Sequence, residues 1–312
     1  VYKPNPIYFE KLLDSVEIQT YSNIEINIID DSECLEAYNY VKKTIKKHLA
    51  NSMYYLSRNE KNLGSNKTFE KLVEMASGDY IAFCDQDDIW EPSKISKLID
   101  KIEEEKSILC YSDLSVIDSN DNQIATSFTK LNKRINHLHG DDLFKYLLRR
   151  NFVTGCTMLI RSDVAKEAIP FCHDFYVHDH WLSLFAASKG SITYVAEPLI
   201  KYRIHGNNQI GSTVLNGIES KSDYIVNKLN REIDKYNCLL EEYEFNENHR
   251  KDIYEILKWT KERLDFFKEK NFKNLIKVLK KIKIDYQLII LELFINLSSK
   301  KLSKYALKKI KS

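Results

Sequence analysis

The chain has 312 residues, 43% hydrophobic and 29% charged, with a formal net charge of +2 at neutral pH. That length and composition support a sizeable core in one large domain or two ordinary ones. Eight glycines and five prolines argue against long disordered linkers, and no apolar run reaches the eighteen residues of a membrane span. The cysteines, Cys34, Cys84, Cys110, Cys156, Cys172 and Cys238, form no C-x-x-C pair. They read as buried thiols in a reducing compartment, not as a disulfide frame or a zinc site. No signal peptide is evident, and because Val1 lies inside a motif, a short N-terminal piece is expected to precede it.

Asn5-Pro6 starts a helix, with Asn as cap and Pro in the first turn. Phe9, Leu12, Leu13 and Val16 follow at helical spacing. Ile24 to Ile29 is a strand running into Asp30-Asp31-Ser32, and a helix is expected from Cys34 to about Leu49. Met53 to Leu56 is a short strand; Arg58-Asn59 and Asn62 to Asn66 form a turn-rich loop. A helix with Phe69, Leu72, Val73 and Ala76 on one face ends at Gly78. Tyr80 to Cys84 then reads as a buried strand with Asp85, Asp87 and Asp88 just past its carboxyl end. Strands alternating with helices predict βαβ units and a parallel sheet.

Beyond Trp90 the pattern loosens. Lys94 to Glu105 is helical, Ile108 to Ile117 is strand-like, and Asp141 to Arg150 is a short helix. Phe152 to Ile160 is an apolar strand interrupted at Gly155, where another group is expected to approach the backbone closely. His178-Asp179-His180-Trp181 opens a helix ending at Gly190. Ile192 to Val195 and Leu199 to Ile204 are short strands followed by His205. After about Thr213 only amphipathic helices are predicted, which puts a domain boundary near residues 212–220.

Ligands bind at the carboxyl ends of strands in open parallel sheets. Asp85 and Asp87, two apart around a turn, suit one hard cation such as Mg²⁺ or Mn²⁺ shared with a diphosphate. The alternative is a solvated acidic turn capping the helix that starts near Pro92. One of Asp30 and Asp31 is expected to cap the helix after Ser32, which leaves the other as a pure hydrogen-bond acceptor for a ligand. Asp179, at a helix start, is either a general base or a cap. Trp181 is either a ligand-facing apolar surface or core.

The motifs Val1-Tyr2 before Asn5-Pro6, Asp30-Asp31-Ser32, Asn62-Leu63-Gly64, Gly78-Asp79-Tyr80-Ile81, Asp85-Gln86-Asp87-Asp88-Ile89-Trp90, His178-Asp179-His180-Trp181 and Tyr202 to Asn208 together resemble family 2 glycosyltransferases. The likeness is greatest to bacterial enzymes that build rhamnose-containing surface polysaccharides. It covers residues 1 to about 212 and implies the GT-A fold: an α/β, Rossmann-like, mostly parallel sheet with helices on both faces. A helical, basic region over 213–312 follows. One departure is that the apolar strand that should precede Val1-Tyr2 is reduced to Val1.

The resemblance implies inverting, metal-dependent sugar transfer from dTDP-rhamnose or a UDP-sugar to a glycan or lipid-linked acceptor. In that frame Asp179 is the catalytic base. Asp87, Asp85 and His205 hold Mn²⁺ or Mg²⁺. Tyr2, Asp30, Asp31, Asn62, Asn66, Asp85 and Arg203 bind the nucleotide sugar, with Lys201 near the diphosphate. Trp181, His178 and Gly155 line the acceptor side, with His180 a further polar contact, and Asp88 either shares the acidic site or is structural, capping the following helix. Two other readings are a nucleotidyltransferase, which lacks its Gly-rich basic loop here, and a non-catalytic or degenerate nucleotide-sugar-binding protein.

Residues 268–312 carry thirteen lysines and three acids, an excess of ten positive charges that leaves the rest of the chain at −8. Together with the apolar Leu288 to Leu291 and Leu293 to Ile295, they read as an interfacial helix on an anionic leaflet, or as a lid or dimer face. Nucleic acid is not expected as a partner, for want of a motif or interleaved aromatics. A cytoplasmic protein, peripheral on the inner face of the plasma membrane, is the expectation.

Overall fold

In the first helix, α1 (Pro6–Glu17), the Asn5 side chain accepts from the Ile7 and Tyr8 amides, and the helix buries Phe9, Leu12, Leu13 and Val16. It is the first element of a computed structural model that describes residues 1–131, 136–205, 218–299 and 302. The chain divides into two units, Val1–Gly206 and Asn207–Ser312. The boundary expected near residues 212–220 falls largely, and the Gly206-Asn207-Asn208 end of the last motif wholly, outside the described residues.

In the first unit β1 (Glu25–Asp30) and β2 (Met53–Arg58) pair in parallel across α2 (Leu35–His48). Their apolar sides join the α1 face, with Ile28, Val41 and Ile45 in one cluster. Val1 extends this pair at the edge opposite β2. Its ammonium donates to the Ile29 carbonyl (2.7 Å) and its carbonyl accepts from the Asp31 amide (2.8 Å).

After α3 (Ser65–Met75) come β3 (Tyr80–Ala82), β4 (Ile89–Trp90), α4 (Lys94–Glu105), β5 (Leu109–Ile117) and β6 (Gln123–Ala125). The short helices α5 (Phe128–Leu131) and α6 (Phe144–Leu147) lead to β7 (Met158–Arg161), α7 (Ser162–Glu167), α8 (His178–Lys189) and β8 (Ile192–Arg203). The second sheet runs β3-β7-β5-β8-β4, with β6 on β5. Strand β5 lies at its centre and is buried along its whole length.

The sheet departs from the predicted parallel pattern. β5 and β8 are parallel, but β3–β7, β5–β7, β4–β8 and β5–β6 are antiparallel. Apolar runs mark strands without marking direction, so the mixed pairing was not legible. Two further expectations change. The strands expected at Ile192–Val195 and Leu199–Ile204 are one, β8, which slips register against β5 opposite Pro198; proline has no N–H to give to the ladder. The strand expected from Phe152 begins only at Met158, because Gly155–Thr157 is a single 3₁₀ turn.

The second unit is helical. A short α9 (Lys221–Tyr224) runs through a π-helical turn, Ile225–Asn230, into α10 (Arg231–Glu242). α11 (Glu247–Lys268), α12 (Phe272–Lys280) and α13 (Tyr286–Leu297) follow. Asn246, Asn271 and Asp285 cap the last three. Buried in this unit, the Arg263 guanidinium is held by Glu292 (Nε to Oε2 2.9 Å) and Glu232 (2.9 Å), and Tyr224 donates to Glu292 (2.7 Å).

Candidate active site

The acidic loop after β3 is built from both sides. Phe83 is buried beneath it. Gln86 clamps the N-terminal segment: its Oε1 accepts from the Tyr2 amide (2.7 Å) and its Nε2 donates to the Tyr2 carbonyl (3.1 Å). The Tyr2 side chain is left 46% exposed, free to border a ligand. Lys3 ties the same segment to Ser32 Oγ (2.9 Å). The ends of β1 and β3 are thereby stitched together through residues 1–3.

The carboxylates of the loop divide their work. Burial, with the Asp87 and Asp179 carboxylates adding to it, pushes Asp85 up to about 7. The Asp87 carboxylate lies 2.7 Å from His205 Nε2, and the His205 ring stacks on Tyr8. Asp88 turns inward, fully buried, and accepts from the Arg203 amide (3.1 Å). It braces β8 and does not cap the following helix; a structural role was one of the two expected for it.

Asp85, Asp88 and Cys156 bring ligand atoms within 4.8 Å of one another. This group is a poor cation centre. Burial drives the Cys156 thiol well above its ordinary value, with Asp88 and Asp85 adding to the shift, and a soft sulfur donor is one that Mg²⁺ and Mn²⁺ do not favour. Beneath it the buried Lys94 donates to the Cys156 carbonyl (2.8 Å) and sits 3.3 Å from the Trp90 ring centre. Burial lowers Lys94 to about 8 against the pull of nearby acids and thiols. The donor set that fits Mn²⁺ or Mg²⁺ is Asp87 and His205, already in mutual contact, with Asp85 as a neighbouring carboxylate; hard oxygen and imidazole donors suit these ions.

Arg203 is a correction. It was expected at the diphosphate, but its side chain is fully buried. Its Nε donates to the Asp87 carbonyl (2.9 Å), its Nη1 donates to the Asp118 carbonyl (3.0 Å) and to Asp121, and the guanidinium lies 4.2 Å from the Tyr8 ring centre. It acts as a strut beneath the acidic loop. Lys201 pairs with Glu91 (3.3 Å).

Asp31 shapes the loop after β2. Its Oδ1 accepts from Asn59 Nδ2 and the Leu63 amide (both 2.8 Å), and its Oδ2 accepts from the Gly64 amide (2.9 Å). Gly64, at φ +79°, makes that turn without the strain a side chain would bring. Asp30 Oδ1 accepts from the Ser32 amide (3.3 Å), while its buried Oδ2 has no hydrogen-bond partner and lies 3.9 Å from Arg58 Nε. Neither acid caps the next helix; Cys34 does. Asn62 donates to the Asp31 carbonyl (3.3 Å) and Asn66 to the Tyr176 carbonyl (2.9 Å), so both hold the loop in place.

Asp179 sits in the first turn of α8 and is not the cap, which is Val177. Its Oδ2 accepts from the Gly155 amide (3.2 Å), its Oδ1 from the His180 amide (2.6 Å), and burial raises it to about 6 despite those donors. The close approach expected at Gly155 is present: a Cβ there would meet His178 Nε2 at 2.8 Å. His178 stacks on Phe69 (4.2 Å between centroids), and burial holds it neutral by lowering it to about 3.

Trp181 and His180 are further corrections. Trp181 is fully buried with Nε1 donating to the Ala168 carbonyl (2.8 Å), so it is core and offers no floor to a sugar. His180 Nε2 contacts the Leu147 carbonyl (2.6 Å), so this ring nitrogen is engaged within the protein. The sequence reading missed Gln86, Arg58 and Lys94. Arg58, at the carboxyl end of β2, was the one with a positional signal; the other two are legible only from contacts.

An alternating α/β unit whose carboxylates gather past its strand ends places a candidate ligand site at that edge. The chain matches glycosyl transferase family 2 over residues 6–168, and it belongs to that family. It is 28% identical over 224 residues to an uncharacterized glycosyltransferase of Rickettsia prowazekii, covering 69% of this chain and 65% of that one. It is 29% identical over 162 residues to the dTDP-rhamnosyl transferase RfbG of Shigella flexneri, covering 48% and 53%. The chain thus spans somewhat less than two thirds of the Rickettsia relative's length. Among solved structures, S. aureus TarS 1-349 in complex with UDP-GlcNAc superposes with a TM-score of 0.56 at 13% identity, covering 97% of this chain and 88% of that one. That likeness supports the GT-A-type fold alone.

Proposed function

We propose that the first unit transfers a sugar, with inversion, from a pyrimidine nucleotide-diphosphate donor to a hydroxyl of a glycan or lipid-linked acceptor in bacterial surface polysaccharide synthesis. The observation that carries this reading is Asp179: a carboxylate oriented by the Gly155 amide and raised to about 6 by burial, near enough to Asp85 for the two charges to interact. A base tuned toward neutral pH is what proton removal from a sugar hydroxyl requires.

In this reading Asp179 takes the acceptor hydroxyl proton while that oxygen bonds to the anomeric carbon. The bond from that carbon to the diphosphate breaks, and its electron pair leaves with the nucleoside diphosphate. Gly155, where a Cβ would meet His178 Nε2 at 2.8 Å, lets His178 and Asp179 pack against its backbone, and neutral His178 adds no competing charge. Mn²⁺ or Mg²⁺, held by Asp87 and His205 with Asp85 beside them, would supply the charge neutralisation that the leaving diphosphate needs.

On the donor side Tyr2 borders the base. The unpartnered Asp30 Oδ2 and the one open acceptor position of Asp31 are the groups suited to an imide N–H. The name of the Shigella relative, a dTDP-rhamnosyl transferase, supports a pyrimidine nucleotide. The test is release of nucleoside diphosphate from dTDP-rhamnose and UDP-sugars, with and without Mn²⁺. Metal-dependent release that Asp179→Asn suppresses supports the reading. Binding of these donors with no transfer to any glycan or lipid-linked acceptor would instead favour the non-catalytic alternative.

A further inference from the structure

Helix α13 is apolar on two sides. Its inner side, with Ile289, Ile295 and the Glu292 that holds Arg263, is buried in the helical unit. Its outer side carries Tyr286, Ile290, Phe294 and Leu297, spaced so that they share one face, and they remain 45–59% exposed. Ile290, Leu293, Phe294, Leu297 and Ser298 line an open groove of about 470 Å³ on that side. Glu292 is the one charged residue of α13 and it is buried, so the outer face holds no charge. A helix in water normally turns polar residues outward, and a contiguous exposed apolar face marks an interaction surface.

The charge of the sequence on either side of α13 selects its partner. Lys273, Lys280 and Lys283, all exposed, precede it, and six of the thirteen lysines of residues 268–312 follow it in sequence. Two copies meeting through this face would bring two strongly basic segments together, whereas an anionic surface would draw one in. No helix among the described residues is long and apolar enough to cross a membrane, so the face would lie on a leaflet and not span it.

We propose that the outer face of α13, flanked by lysines, is a docking surface for an anionic lipid leaflet: Tyr286, Ile290, Phe294 and Leu297 enter the headgroup boundary and the lysines contact acidic headgroups. The face belongs to the second unit and the carboxylates to the first, so the proposal stands or falls without any sugar transfer.

The test is co-sedimentation of the full chain with phosphatidylcholine vesicles, with and without phosphatidylglycerol. Binding is expected only with the anionic lipid. It should weaken by roughly tenfold or more as salt shortens the Debye length from about 30 Å to about 3 Å. Ile290→Ser with Phe294→Ser, both exposed, should reduce binding by a similar factor while helicity and melting temperature hold. Equal binding to neutral vesicles, or undiminished binding by the double variant, overturns the proposal. So does a dimer in sedimentation velocity that the double variant abolishes, or strong hydrogen-exchange protection of the exposed 286–297 face without vesicles.

Discussion

The Nε2 of His205 lies 2.7 Å from Oδ2 of Asp87, although 118 positions separate them in the chain. One comes from the loop after β3 and the other follows β8. The connection runs through Arg203, whose amide is held by Asp88 and whose guanidinium holds the Asp87 carbonyl. Two candidate metal ligands are thus presented on one buried strut.

If that pair binds Mn²⁺ or Mg²⁺, Asp87→Ala should remove metal-dependent donor binding, and His205→Ala should weaken it. Loss of an outer-shell partner alone typically costs about 10–100-fold in metal affinity, so loss of a ligand should cost at least as much. Calorimetry with UDP or dTDP, with and without Mn²⁺, reads this directly. Unchanged affinity in Asp87→Ala would remove the metal role from this loop.

For Asp179 the sign of the pH dependence follows from its raised value. A base must be ionised, so turnover should climb as pH rises through about 6 and level off above it. Asp179→Asn keeps the acceptor for the Gly155 amide but cannot take a proton; turnover should drop by about 10²–10⁴ with donor affinity retained. A variant near the parent rate would move the base elsewhere, with His178 next in position though held neutral.

Trp181 and Arg203 separate packing from binding. Trp181→Ala should destabilise the protein by about 3–5 kcal/mol, since it empties a fully buried site and orphans the Ala168 carbonyl. Among molecules that fold, the acceptor KM should change little. A large KM effect at unchanged stability would restore Trp181 to the acceptor site.

Much of this site could be read in the sequence because its acids follow strands, and strand ends are where a βα pattern places functional groups. Asp85, Asp87 and His205 were singled out by that rule, Asp179 by its helix start, and the tight approach at Gly155 by a glycine inside an apolar run. What could not be read was direction of side chains. Arg203 and Trp181 occupy the same motif positions whether they face a ligand or the core, and only partners such as the Asp87 and Ala168 carbonyls decide. Strand polarity around β7 was hidden for a similar reason: Met158 to Ile160 is apolar in either orientation, and pairing partners far along the chain set it. In the tail, the Arg263–Glu292 pair was invisible because a charged residue on an apolar helix carries no sign of its partner.

That pair supports the last prediction. Arg263 is buried, with Glu292 and Glu232 against it. Burial would raise Glu232, but Arg263 and Lys228 outweigh it and hold the acid down to about 2. Glu292→Ala removes the bidentate partner of Arg263 and the acceptor of the Tyr224 hydroxyl, leaving a buried guanidinium short of countercharge. Breaking such a pair from one side costs about 3–5 kcal/mol, whereas replacing both partners with apolar residues of similar size is often neutral. Denaturation followed by helical signal should therefore show Glu292→Ala strongly destabilised, and Glu292→Leu combined with Arg263→Met less so, although it still strands the Tyr224 hydroxyl and leaves Glu232 to Lys228. If the single variant melts with the parent, water reaches Arg263 and the pair does not organise the helical unit. If the double variant is as unstable as the single one, the ion pair itself, and not the avoidance of a stranded charge, holds α11 to α13.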